Sequence, residues 1–169
     1  YREAGQPMLY ETIATLEPSS MIAGHPSMVD TVPLFSRRSV LTSFENLMPV
    51  FDSYEKEQKR RTYALFDALY SDSAGQVLDF CRKYRVTHLL IHPSIFEKRN
   101  VASRFFYPEP YWRFALSKWK IHQGRFVLDR AHFPGELYNQ GQGALVPCTA
   151  AALMPMPEKG VEGNGEKLD

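Results

Sequence analysis

No apolar run in this chain approaches the roughly 18 residues that a bilayer-spanning helix needs. The nearest, GALVPCTAAALM, is short and interrupted by Pro147, so no membrane span is expected in these residues. Cysteine is scarce as well. Cys81 and Cys148 lie far apart without a CxxC partner, which signals neither a zinc knuckle nor a disulfide framework and leaves the redox compartment open. An excess of charge is missing: 20 Lys+Arg against 19 Asp+Glu leave +1, too little to gather a nucleic-acid backbone or an acidic membrane. No nucleic-acid partner is expected. The chain opens on Tyr1 with no basic, apolar, small-residue succession behind it; it is expected to lack a signal peptide and to be a piece of something longer.

Reaction motifs are also lacking. There is no GxSxG elbow, and Ser27, Ser36, Ser39 and Ser43 are scattered without the strained turn that exposes a nucleophile. The glycines of NQGQG, around Gly141, neither follow a strand nor open a clear helix, which argues against a phosphate loop. No catalytic residue and no cofactor is therefore expected.

What is present is a domain's worth of core. A chain of 169 residues with 44% hydrophobic and 13% aromatic content suffices for one folded unit. PMLYETIATLE (7–17) predicts a helix that begins at Pro7 and stops before Pro18, with Leu9, Ile13 and Leu16 at helical spacing. SMIAG predicts a short buried strand ending at Gly24 and Pro26, and RSVLTS a second. In SYEKEQKRRTYALFDALY (53–70), Tyr54, Gln58, Arg61, Leu65 and Leu69 share one helical face. A further helix follows, capped by Asp72 or Ser73 and burying Val77, Leu78, Phe80 and Cys81. VTHLLIHP is an unbroken apolar run that reads as a central, parallel strand. PEPYWRFALSKWKI predicts a helix, and RFVLD a strand after Gly124.

Helices thus alternate with strands, which predicts an α/β fold: a layered sheet, mostly parallel, with helices packed on its faces. Residues 1–138 are expected to form the compact α/β domain. Residues 139–169, which run through NQGQG to PEKGVEGNGEKLD, are expected to form a flexible tail, because their glycines and charges bury too little surface.

The candidate ligand-binding residues are His25, Asp30, Arg37, Arg38, Arg61 and His92. His25 and His92 stand at expected strand ends, where open α/β sheets place ligands. A metal shared by His88 and His92 is not expected. On a strand they fall about 13 Å apart at roughly 3.3 Å per residue, whereas zinc needs each nitrogen about 2 Å away. In KEQKRR, Lys56, Lys59 and Arg60 fall on the solvent side among Glu55 and Glu57. Arg61 falls on or beside the buried face, where a guanidinium demands an acceptor; Asp30, Asp67 or backbone carbonyls are the expected partners, with Arg37 and Arg38 read in the same way. The aromatics of FFYPEPYWRF (105–114) divide between core packing and an exposed patch for a glycan, a membrane surface or a protein partner.

Three stretches in order, DTVPLFSRRSVLTSFE, YEKEQKRRTYALFDALYS and VLDFCRKYRVTHLLIHPS, resemble the C-terminal region of bacterial polytopic membrane proteins of the type C glycosyltransferase-like class. The resemblance covers roughly residues 8–130. It implies an extracytoplasmic α/β domain at the end of a transmembrane bundle, with the membrane-embedded remainder of the parent chain as partner and a glycan or lipid-linked sugar as ligand. The acidic catalytic residue of that class sits in an early loop that would precede Tyr1, so the resemblance implies binding or support here rather than catalysis. Two rival expectations come from the residues themselves. One is a small-molecule enzyme domain with a pocket at the strand carboxyl ends, lined by His25, Asp30 or His92. The other is a protein-interaction module with an exposed apolar patch near residues 105–112.

Overall fold

The computed structural model describes residues 7–44, 52–103, 110–130, 133, 135–139 and 143–153. Helix α1 (Pro7–Ala14) begins on a proline, whose missing N–H has no partner to lose in a first turn, and buries Leu9, Tyr10 and Ile13. Strand β1 (Met21–Gly24) follows and leads through His25 into α2 (Pro26–Val29) and α3 (Val32–Ser36). Arg37 then takes a left-handed backbone, φ 53°, which ends α3 and turns the chain into β2 (Ser39–Val40). The long helix α4 (Asp52–Leu69) opens with Asp52 and Glu55 in its first turn, where the helix dipole favours acids. Helix α5 (Ala74–Tyr84) is capped by Ser73, whose hydroxyl accepts from the Gln76 N–H, and ends where Arg85 turns left-handed at φ 55°. Strand β3 (His88–Ile91), a short 3-10 helix (Pro93–Phe96), α6 (Lys98–Val101) and α7 (Tyr111–His122) complete this alternation.

The sheet has the order β2-β1-β3-β5-β4, with β4 at Tyr138–Asn139 and β5 at Ala144–Pro147. β1 runs parallel to β2 and to β3, with Ile22 opposite His88 and Gly24 opposite Leu90. β5 is antiparallel to both β3 and β4, so it alone is reversed among the strands. The fold is α/β, and β3 is central as expected. Gly24 is required there: a Cβ at this position would meet the Leu90 carbonyl oxygen at 2.5 Å and Val29 Cγ1 at 3.0 Å.

Strand alternation sorts the core into two layers. Ile22, Leu90 and Leu145 face α1, α2 and α3, packing on Leu9, Ile13, Val29 and Val32. Ala23, Leu89, Ile91 and Val146 face α4, α5 and α7, packing among Leu65, Phe66, Leu69, Phe80 and Trp119.

Two expectations are corrected. RFVLD forms no strand: Phe126, Val127 and Leu128 are buried in a turn, where Phe126 stacks on Phe96 at 5.4 Å and Val127 donates its N–H to the Ser71 carbonyl at 2.9 Å. A short apolar run serves equally well as a plug under the core. Residues 144–153, expected in the flexible tail, form β5 and α8 (Ala150–Leu153), with Leu145, Val146 and Leu153 fully buried. The glycines around β5 hid it, because a strand covered on both faces needs only a few apolar residues. Residues 154–169 lie outside the described residues. Cys81 and Cys148, whose redox state the sequence leaves open, form a disulfide, with Cα atoms 6.2 Å apart. Helix α5 brings one and the end of β5 the other, a proximity that spacing along the chain does not encode.

Candidate functional site at the sheet's carboxyl edge

From β1 the chain crosses to β2 on one side, and after β2 it returns to β3 on the other. The segments leaving β1 and β3 therefore diverge, which opens the crevice where doubly wound sheets receive ligands. Two residues with a shared local sequence stand there. The tripeptide His-Pro-Ser occurs immediately after β1, at residues 25–27, and immediately after β3, at residues 92–94. In each, the histidine is the N-cap, the proline opens the helical turn and the serine binds back to the ring.

The geometry of the two caps is nearly the same. His25 Nδ1 accepts from the Ser27 N–H at 3.2 Å and lies 2.7 Å from the Ser27 hydroxyl. His92 Nδ1 accepts from the Ser94 N–H at 3.0 Å and lies 2.6 Å from the Ser94 hydroxyl. An Nδ1 that accepts an N–H carries its lone pair there, so the ring proton of the neutral imidazole sits on Nε2. Burial differs. His25 is fully buried against Phe44 and Phe66, ring centroids 6.1 and 6.2 Å away, and burial pushes its pKa down to about 3. His92 is half-buried; burial lowers its pKa, and the nearby Glu97 carboxylate opposes that shift.

The other candidates do not join them. Arg37 and Arg38 precede β2 and so stand at the amino end of the sheet, opposite the histidines. Arg37 is exposed. Arg38 grips the end of α1, donating from Nε to the Leu16 carbonyl at 3.0 Å and from Nη2 to the Ala14 carbonyl at 2.6 Å. It satisfies carbonyls that the helix end leaves open. Asp30 ends α2 on the way between the two edges. Arg61 is about one third exposed and pairs with Glu57 one turn back at 2.7 Å, not with Asp30, Asp67 or a carbonyl; Asp67 pairs with Lys118 at 2.6 Å. Glu57 also takes Arg60, and the two guanidiniums hold its carboxyl at a pKa of about 2. The paired face of α4 is thus a solvated ion network, as Lys59 with Glu55 also indicates.

Sequence reasoning missed a buried polar cluster beside His25. Thr42, two residues beyond β2, places its hydroxyl 3.4 Å from that of Thr62 on α4. Tyr111, the first residue of α7, is buried nearby, with its ring 6.4 Å from that of Phe66. Gln58, one turn before Thr62, is 6% exposed, and Ser43 is buried with them. The signal was available: Gln58 and Thr62 are polar residues four apart on the face of α4 that carries Leu65 and Leu69 inward.

The chain matches no protein-family profile, no curated protein and no solved structure. Among the described residues, no group of three or more His, Cys, Asp or Glu side chains is placed to hold a metal, and no helix is long and apolar enough to cross a membrane. Of the aromatic stretch expected to divide between core and patch, Tyr111 is buried while Trp112 and Phe114 pack partly against the core; residues 104–109 lie outside the described residues. The exposed large apolar side chains among the described residues are Met8 on α1, Leu34 and Phe35 on α3, Tyr54 on α4, Ile121 on α7, and Leu137.

Proposed function

We propose that this chain is an extracytoplasmic α/β domain of a glycosyltransferase-like integral membrane protein, serving acceptor binding or structural support rather than the transfer step. The observation that carries the reading is the disulfide between Cys81 and Cys148. Disulfides persist in oxidising compartments and are rare where glutathione keeps thiols reduced. A bridge closing a loop of 67 residues contributes about 4 kcal/mol in the chain-entropy picture, which favours a structural bond over a transient one. The ordered resemblance of three sequence stretches supplies the lineage. The edge histidines support the non-catalytic part of the reading, because both commit Nδ1 to a helix cap. An enzyme domain working at this edge is the second reading, favoured by the buried polar cluster beside His25.

The test is thiol trapping in cells that express the full parent chain. Alkylation by a maleimide-polyethylene glycol should shift the protein only after reduction, and a cysteine introduced at exposed Leu34 should react with a membrane-impermeant maleimide on intact spheroplasts. Two thiols that alkylate without reductant, with Leu34→Cys silent until lysis, would place the domain in a reducing compartment and end the proposal.

A further inference from the structure

Helices α4 and α5 enclose an open groove between them. Ala64 and Ala68 stand one turn apart on α4, and Phe80 and Tyr84 one turn apart on α5, with ring centroids 5.3 Å from each other. Two methyl side chains beside two aromatic rings leave a volume of about 290 Å³, near the lower end for small-molecule pockets. The walls are held by the fold: Ala68 and Phe80 are buried, and Tyr84 is half-buried. A flat apolar ring fits such a space, because it can lie against the faces or edges of Phe80 and Tyr84.

The charges on the rim say what that ring should carry. Asp67 pairs with Lys118 of α7 at 2.6 Å, and Asp79 pairs with Arg82. At the Tyr84 end, the Arg60 guanidinium lies 5.2 Å from the Tyr84 ring centroid, donates to the Tyr84 hydroxyl at 3.4 Å and is neutralised by Glu57 at 2.9 Å. Lys83 Nζ stands over the same ring at 5.5 Å. Lys83 follows Asp79 by four residues, the spacing at which opposite charges on a helix pair. Asp79 nevertheless turns to Arg82, and Lys83 makes no ion pair among the described residues. One tyrosine ring therefore collects two cations, of which one lacks a counter-charge. Its place in the last turn of α5 suits a cation, but does not draw it onto the ring. An anion at this end of the groove supplies the missing partner, and a single negative charge matches the single unpaired cation better than a dianion, which Asp67 and Asp79 on the same rim would repel. We infer that the groove between α4 and α5 binds a small aromatic monocarboxylate, its ring against Phe80 and Tyr84 and its carboxylate on Lys83. The site shares no residue with the histidine edge and goes beyond the role proposed above.

The probes are 3-phenylpropionate and indole-3-acetate, with 3-phenylpropanamide as the uncharged control and acetate as the control without a ring. The oxidised, 15N-labelled chain is titrated with each while the backbone amides of α5 are followed by proton–nitrogen correlation. At least one aromatic carboxylate should give saturable shifts at Lys83 and Tyr84, acetate none, and the amide binding about tenfold more weakly than its acid, the factor for one hydrogen bond to a charged group. Lys83→Met keeps an unbranched stem on an exposed position and removes the charge, so it should weaken the carboxylate about tenfold and leave the melting temperature unchanged. Ala64→Leu fills the groove and should abolish the shifts; if that variant does not fold, Lys83→Met decides alone. Flat titrations with both carboxylates, equal affinity for 3-phenylpropanamide, or equal affinity in Lys83→Met overturn the inference. None of these outcomes touches the compartment reading, which falls only on the thiol-trapping result.

Discussion

His25 and His92 make one local structure twice in two different environments. Each follows a strand of the parallel half, caps a short helix and binds its serine through Nδ1. The caps agree to within 0.2 Å in their N–H contacts, 3.2 against 3.0 Å. Only the surroundings separate them: His25 lies under Phe44 and Phe66, and His92 is half-buried next to Glu97. The difference teaches that His-Pro-Ser after a strand encodes the cap, while the packing of distant elements decides whether the ring can take a proton. It also explains why two residues read from the sequence as equivalent ligand candidates are not equivalent in the fold.

The comparison breaks most visibly on truncation. His25→Ala should lose about 4 kcal/mol of unfolding free energy, since a fully buried ring leaves a cavity in addition to the lost cap. His92→Ala should lose about 1 kcal/mol, the cap alone. Urea denaturation of both variants checks this, and equal losses would mean that the two environments do not differ in energy. The approach to the first cap gives a second break. Gly24 lies so close to Leu90 that Gly24→Ala puts a methyl group 2.5 Å from a backbone oxygen. Either β1 or β3 must shift, at a cost of about 2 kcal/mol. The same denaturation series measures it, and an unchanged midpoint would show that the strands separate freely.

How much of this was legible in advance follows the range of the interactions. The elements of the parallel half could be read because their causes are local: Ser73 caps α5, Gly24 and Pro26 end β1, and Leu65 and Leu69 recur at helical spacing. What escaped depends on partners far along the chain. β5 is recognisable as a strand only once β3 and β4 stand on either side of it, and the Cys81–Cys148 bond joins residues 67 apart. Arg61 failed for the opposite reason. Its partner, Glu57, was one turn away and visible, but the residue sits at the rim of the buried face, where periodicity does not decide between inside and outside. Of the site, the two histidines and the carboxyl edge were legible, the repeat of His-Pro-Ser was present but unused, and Thr42 with Tyr111 required the fold.

Acid sharpens the contrast between the caps. Below the unfolded histidine pKa of about 6.5 the unfolded chain takes a proton at residue 25 that the folded chain refuses until about pH 3. The unfolded state binds more protons across that window, so stability falls as pH falls, with a slope approaching about 1.4 kcal/mol per pH unit. His25→Asn retains a capping acceptor and does not titrate, so its stability measured by urea from pH 6.5 to 4 should be flatter than wild type by about that slope. The corresponding His92→Asn variant should change the slope less, because His92 is only half-buried and Glu97 opposes the downward shift. Equal flattening in both would contradict the burial difference.

The smallest effect isolates what the caps share. Ser27→Ala and Ser94→Ala each remove the hydroxyl beside Nδ1, at 2.7 and 2.6 Å, and leave the serine's backbone N–H in place as donor. Because the deleted contact is the same in both, each should lose about 0.5 to 1 kcal/mol at pH 7 and the two losses should agree. A clearly larger loss for Ser27→Ala would mean that burial strengthens the hydrogen bond itself as well as excluding the proton, as a lower local dielectric does. Agreement would confine the influence of burial to the charge of the ring, with the cap set by the tripeptide wherever it occurs.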